Sequence, residues 1–101
     1  MRYTVTITLT PANNFDYAPG YLRVHVGDEV NFECNRVFKV KFLYGSPFGV
    51  TTEFSSKGGV PTAYAAVAAG TVSQLYHYVV TAIGPDGQPF VDAGCPTVDV
   101  G

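Results

Sequence analysis

The sequence predicts an all-β fold, an antiparallel Greek-key sandwich of two sheets. Short segments of alternating apolar and polar residues recur along the chain, and clusters of Gly, Pro, Asn and Asp separate them. Apolar residues make up 47% of the 101 positions, which is enough to bury a core, so disorder is not expected. A chain of this length is expected to form a single domain over residues 1–101.

The first half contains four predicted strands. Residues 3–9 alternate apolar side chains with threonines, and two prolines and Gly20 break the pattern before it resumes at Tyr21. Two strands then flank a turn at Gly27 and Asp28, which predicts a hairpin. Residues 38–42 form the next strand, whose two lysines face water.

The second half begins with a loop-like stretch over residues 45–59, in which two phenylalanines are expected to close the end of the core. Irregular structure or a short strand is expected over residues 50–54. Residues 61–70, PTAYAAVAAG, have two interpretations, a short helix or an Ala-rich strand. Residues 72–83 give the longest strand signal, because β-branched and aromatic residues occupy both faces. A turn at 85–88 and a strand at 96–100 complete the chain.

Charge and hydropathy argue against two classes of partner. The six Lys and Arg residues are dispersed and the net charge is −2, so no basic stripe for nucleic acid is expected. No apolar run approaches the ~20 residues that a membrane span needs.

The first residues lead directly into a strand rather than a signal peptide. A cytoplasmic location is expected if Met1 is the native start, and a periplasmic or extracellular one if a signal has been removed.

The order of these segments resembles the cupredoxins. The resemblance rests on Phe-Asp-Tyr-Ala-Pro at 15–19, Val-Gly-Asp-Glu-Val-Asn-Phe at 26–32, Tyr-His-Tyr-Val-Val at 76–80 and a final Val-x-Val. Ser-Pro-Phe-Gly at 46–49 and the Tyr-x-Tyr strand are similar to metal-free bacterial members of that fold. The resemblance therefore implies a cupredoxin-like sandwich.

The family's copper site needs a thiolate, two imidazoles and a weak axial thioether. The aligned positions hold Phe38, Val80, Ile83 and Gly94, and the only methionine is Met1. None of these four residues can supply a copper ligand. A member of the fold without copper and without any cofactor is therefore expected.

The two cysteines are expected to approach the same end of such a sandwich. Cys34 ends the strand that leads to the former ligand loop, and Cys95 lies where the axial ligand would be. A disulfide between them, two separate thiols, and a metal or redox role all remain open. His25 and His77 fall on the faces opposite the inferred core and are expected to be solvated.

No constellation of acid, base or nucleophile indicates catalysis, so the chain is not expected to be an enzyme. Fourteen Phe and Tyr residues exceed what a small sandwich easily buries, and Tyr17, Tyr21, Tyr44 and Tyr64 are candidates for an interaction surface. One of Tyr76 and Tyr78 is also expected to be exposed. The predicted function is a structural or protein-interaction module that self-associates or binds an unknown protein partner. The alternative is a metal-binding or redox protein that uses Cys34 and Cys95.

Overall fold

The computed structural model describes residues 1–92, 94 and 96–101. Within that part of the chain ten β-strands form and no helix does. The described residues accordingly contain no helix that could cross a membrane. The strands are β1 (Arg2–Leu9), β2 (Phe15–Ala18), β3 (Tyr21–Val24), β4 (Glu29–Cys34), β5 (Phe38–Phe42), β6 (Glu53–Ser56), β7 (Ala65–Ala66), β8 (Leu75–Ile83), β9 (Pro89–Asp92) and β10 (Thr97–Val100).

The strands form two sheets that enclose one core. The first sheet has the order β2-β1-β4-β7, and the second has the order β3-β10-β8-β5-β6, with β9 paired to one end of β8. The predicted all-β sandwich is therefore confirmed. The sheets are mixed rather than purely antiparallel, because β1 runs parallel to β4 and β3 runs parallel to β10.

The turn at Gly27 and Asp28 joins strands of different sheets, so the predicted hairpin is wrong. Gly27 has a φ of 92°, and the Asp28 N–H donates to the His25 carbonyl at 3.0 Å, as expected for a tight turn. However, β3 pairs with β10 and β4 pairs with β1. Alternation shows which face of a strand is buried but carries no information about its partner.

Residues 61–70 contain a short strand, so the helical interpretation is wrong. Ala65 and Ala66 pair with β4, and the Thr62 N–H donates to the Phe32 carbonyl at 2.8 Å. The strand forms because β4 offers hydrogen-bond partners along its edge, whereas a helix this short gains little from alanine propensity alone.

An aromatic cluster fills the space between the sheets. Rings from the first sheet, the second sheet and the loop between β5 and β6 meet there, with centroids 4.9 to 6.5 Å apart. Its members are Phe32, Phe42, Phe48, Phe54 and Tyr78, all of them buried. The expectation that two phenylalanines of residues 45–59 close the core is confirmed by Phe48 and Phe54.

Asn35 ends the pairing of β1 with β4. Its side-chain Oδ1 accepts a bond from the Leu9 N–H at 2.9 Å, and its Nδ2 donates to the Leu9 carbonyl at 3.0 Å. The Asn35 side-chain amide thus makes the two hydrogen bonds to Leu9 that the backbone of a further β4 residue would otherwise make. This contact satisfies both backbone groups of Leu9 where the ladder stops.

Replacing Asn35 with Ala should lower the free energy of unfolding by about 1–2 kcal/mol, because both polar groups of Leu9 lose their partner. Urea denaturation at neutral pH measures the change. Asn14→Ala is a matched control, since the exposed Asn14 side chain forms no hydrogen bond within the described residues. Equal stability of the two variants would contradict this role of Asn35.

Candidate functional site

The positions that the resemblance assigns to copper ligands are apolar or lack a side chain. Phe38 opens β5 at 3% exposure, Val80 is fully buried opposite Val40, and Ile83 is half-buried at the end of β8. Gly94 is exposed, and its N–H donates to Asp92 Oδ1 at 2.8 Å. Phe38 and Val80 belong to the same buried core.

The residues at these four assigned positions do not supply the ligands of a type-1 copper site. Side chains at the aligned positions present no nitrogen or sulfur, and the described residues contain no group of three or more His, Cys, Asp or Glu that could hold a metal. The two histidines are exposed, as predicted, and lie outside the core. His77 Nδ1 is hydrogen-bonded to Thr97 Oγ1 at 3.0 Å.

Cys34 is buried at the end of β4 and has no disulfide partner among the described residues. Burial raises its pKa, although nearby backbone N–H groups oppose that shift. A raised pKa lowers the thiolate fraction and thus the nucleophilicity at neutral pH. Its predicted partner Cys95 lies outside the described residues, so the disulfide stays a prediction.

In a Cys95→Ser variant, Cys34 should react with a disulfide reagent much more slowly in the native protein than after unfolding in guanidinium. Burial and the raised pKa both suppress the reactive thiolate. The rate of thiol release, followed by absorbance, measures this difference. Equal rates in native and unfolded protein would show that the thiol is accessible.

Tyr17 and Asp92 connect the two sheets along one side. The Tyr17 hydroxyl donates to Asp92 Oδ2 at 2.6 Å, joining β2 to β9. The Tyr17 ring also contacts the edge of the Tyr78 ring at 6.4 Å. Desolvation and then the hydrogen bond to Asp92 raise the pKa of Tyr17, and desolvation raises the pKa of Tyr78. Tyr17 is half-buried and belongs to the rim of the core.

These two tyrosines should make the protein less stable in alkali. Folding raises the pKa of both hydroxyls above the value near 10 that a tyrosine has in the unfolded chain. Their contribution to the free energy of unfolding is therefore complete below that pH and is lost as the pH rises above it. Urea denaturation between pH 8 and 11 measures the loss. Tyr17→Phe should be less stable at pH 8 and should lose less stability in alkali than the wild type.

Tyr44→Phe is the control, since its side chain is 88% exposed and folding changes its surroundings little. An alkaline loss that is identical in Tyr17→Phe, Tyr44→Phe and the wild type would contradict the assignment to Tyr17.

The other three candidate tyrosines are exposed but lie on separate elements. Tyr21 on β3 is 56% exposed and bonds to Asp99, Tyr44 follows β5, and Tyr64 precedes β7 at 39% exposure. The Arg2 guanidinium lies over the Tyr64 ring, 4.5 Å from its centroid. No ring contact within the described residues joins one of the four tyrosines to another.

Among the described strands, β6 lies at the edge of the second sheet and has no partner on its outer side. It pairs with β5 on one side, where the Phe42 N–H donates to the Thr52 carbonyl at 2.9 Å. Backbone groups alternate direction along a strand, so those of Glu53 and Ser55 point away from β5. Unpaired edge groups are a template for another strand. The sequence predicted irregular structure or a short strand over residues 50–54, and the structure has a short strand at Glu53–Ser56.

Two depressions flank β6. The outer groove, of about 770 Å³, lies on the solvent face of the second sheet and is lined by Val37, Phe38, Lys39, Ser55, Ser56, Lys57, Val60, Thr81 and Ile83. The edge cleft, of about 290 Å³, separates β6 from the segment before β7 and is lined by Thr51, Glu53, Phe54, Ser55, Thr62, Ala63, Tyr64 and Ala65. Ser55 lines both, so β6 is approachable from either side.

The fold is similar to a solved structure, native pseudoazurin from Hyphomicrobium denitrificans. The two share a TM-score of 0.54 and 19% sequence identity, over 100% of this chain and 76% of that chain. The architecture is therefore a cupredoxin-like β-sandwich. At this level of identity the similarity shows the fold alone. No protein-family model and no curated protein matches the sequence.

Proposed function

We propose that this chain is a copper-free cupredoxin-like domain that acts as a structural or protein-interaction module, without catalytic activity. The observation that carries the proposal is the unpaired β6 edge between the outer groove and the edge cleft. Backbone groups on such an edge can bind an extended segment of another chain by strand addition, and adjoining depressions can receive alternate side chains.

The copper-free part rests on the packing at the assigned ligand positions. Phe38 and Val80 are buried with the hydrophobic core, so replacing them with polar ligands would disturb packing as well as supply donors. The redox alternative has less support, because the Cys34 thiol is buried with a raised pKa. An interaction role requires none of these groups to react.

Adding one equivalent of Cu²⁺ to the metal-free protein should produce no thiolate-to-copper absorption band. The assigned positions offer no sulfur or imidazole ligand, and Cys34 is buried. Absorption spectra and thermal unfolding with and without copper measure the response.

A His25→Ala/His77→Ala double variant is the control for copper bound by the two exposed histidines. A thiolate band, or a copper-dependent rise in melting temperature that persists in this variant, would overturn the copper-free proposal. Repeating the titration with Zn²⁺ tests the metal-binding alternative in the same way.

A further inference from the structure

The sequence of the β6 edge is complementary to itself when reversed. Residues 53–57 read Glu-Phe-Ser-Ser-Lys, so opposite charges stand two positions on either side of Ser55. If a second copy of this strand lies antiparallel, with Ser55 opposite Ser55, each Glu53 faces a Lys57 of the other copy. A parallel arrangement in register would instead place like charges side by side, which is unfavourable.

Backbone directions agree with that register. The N–H and C=O groups of Glu53 and Ser55 point outward from β5. Two Ser55 residues facing each other would therefore form a hydrogen-bonded pair at the centre of a new ladder. Glu53 and Ser55 are exposed on β6, and Lys57 follows it on the side of the outer groove.

The two charges are available for a partner. Glu53 contacts Lys39 Nζ at 4.0 Å, but both side chains are about half exposed, so this pair contributes little. Lys57 is exposed and forms no ion pair within the described part of the chain. Apolar side chains adjoin the edge on both sides, with Val60 49% exposed in the outer groove and Tyr64 39% exposed in the edge cleft.

We propose that β6 is a self-association edge, where two copies pair their β6 strands antiparallel about a two-fold axis at Ser55. The second sheets of the two copies then form one continuous sheet, with a Glu53–Lys57 pair at each end of the new ladder. This inference rests on the proposed interaction role and names a second copy of the chain as its partner.

Charge reversal tests the register. Glu53→Lys and Lys57→Glu should each weaken the dimer roughly tenfold, because both symmetry-related pairs become like-charged. The double variant Glu53→Lys/Lys57→Glu should restore the wild-type dissociation constant, since each pair again holds opposite charges. Sedimentation equilibrium over a range of concentrations at low salt measures the constants.

Asp16→Lys is the matched control. It makes the same change in net charge as Glu53→Lys, but on the exposed side of β2 in the other sheet. It should leave the dissociation constant unchanged. Far-UV circular dichroism of every variant establishes that the sandwich has folded.

A covalent trap tests the two-fold axis directly. In a Cys95→Ser background, Ser55→Cys should form an intermolecular disulfide under mild oxidation, because hydrogen-bonded partners lie about 5.5 Å apart at Cα. Ser73→Cys, at an exposed position outside the strands, is the matched control and should cross-link much more slowly. Mass spectrometry under non-reducing conditions measures both products.

Weakening by each single reversal, restoration in the double variant and preferential cross-linking at Ser55 would support the proposal. A strict monomer at all concentrations would overturn it. So would a dimer that is insensitive to the reversals, although such a dimer would leave the general interaction role standing. The copper titration decides the metal-free part of the proposed function independently of these results.

Discussion

Ring contacts between the sheets are the interaction on which the rest of this structure depends. Backbone ladders join strands within each sheet, while packing across the core must hold the two sheets together. Phe32 brings the first sheet to within 4.9 Å of Phe54 and 5.4 Å of Tyr78 on the second, measured between ring centroids. Aromatic rings suit this place because each buries a large area and adjusts to its neighbours by tilting.

The interior of the sandwich is apolar, and the features suited to binding lie on its surface. The core includes Val80 and Phe38, two of the positions that the resemblance assigns to copper ligands. The features that can recognise another molecule lie on the outside. They are concentrated along β6, where a free backbone edge, two charges of opposite sign and two depressions coincide.

Much of the fold could be predicted because it depends on local patterns. Alternation in residues 3–9 and 38–42 correctly identified the buried faces of β1 and β5, and the lysines of β5 are exposed as expected. The sheet assignment of β3 and β4 could not be predicted, since both bury one face and a turn of the same sequence can connect strands within or between sheets.

The candidate site was harder to predict, because local sequence patterns do not determine which strands pair. Strand β6 is too short to show a clear period, and its free edge follows from which strands pair elsewhere. Tyr21, Tyr44 and Tyr64 are exposed as expected. The expected exposure of Tyr76 or Tyr78 is wrong, because both are buried, and Tyr17 packs at the core rim with its hydroxyl bonded to Asp92. The sequence does contain one indication of self-pairing, the Glu-x-x-x-Lys spacing at 53–57. This spacing becomes informative only once β6 is known to lie at the edge of its sheet.

Parallel pairing of β1 with β4 and of β10 with β3 brings Met1 and Gly101 to the same end of the sandwich. The Met1 carbonyl accepts a bond from the Glu29 N–H at 2.8 Å, and the Gly101 N–H donates to the Val24 carbonyl at 3.0 Å. A two-fold axis at β6 would turn the second copy end for end. Met1 and Gly101 of one copy would then lie at the opposite end of the assembly from Met1 and Gly101 of the other.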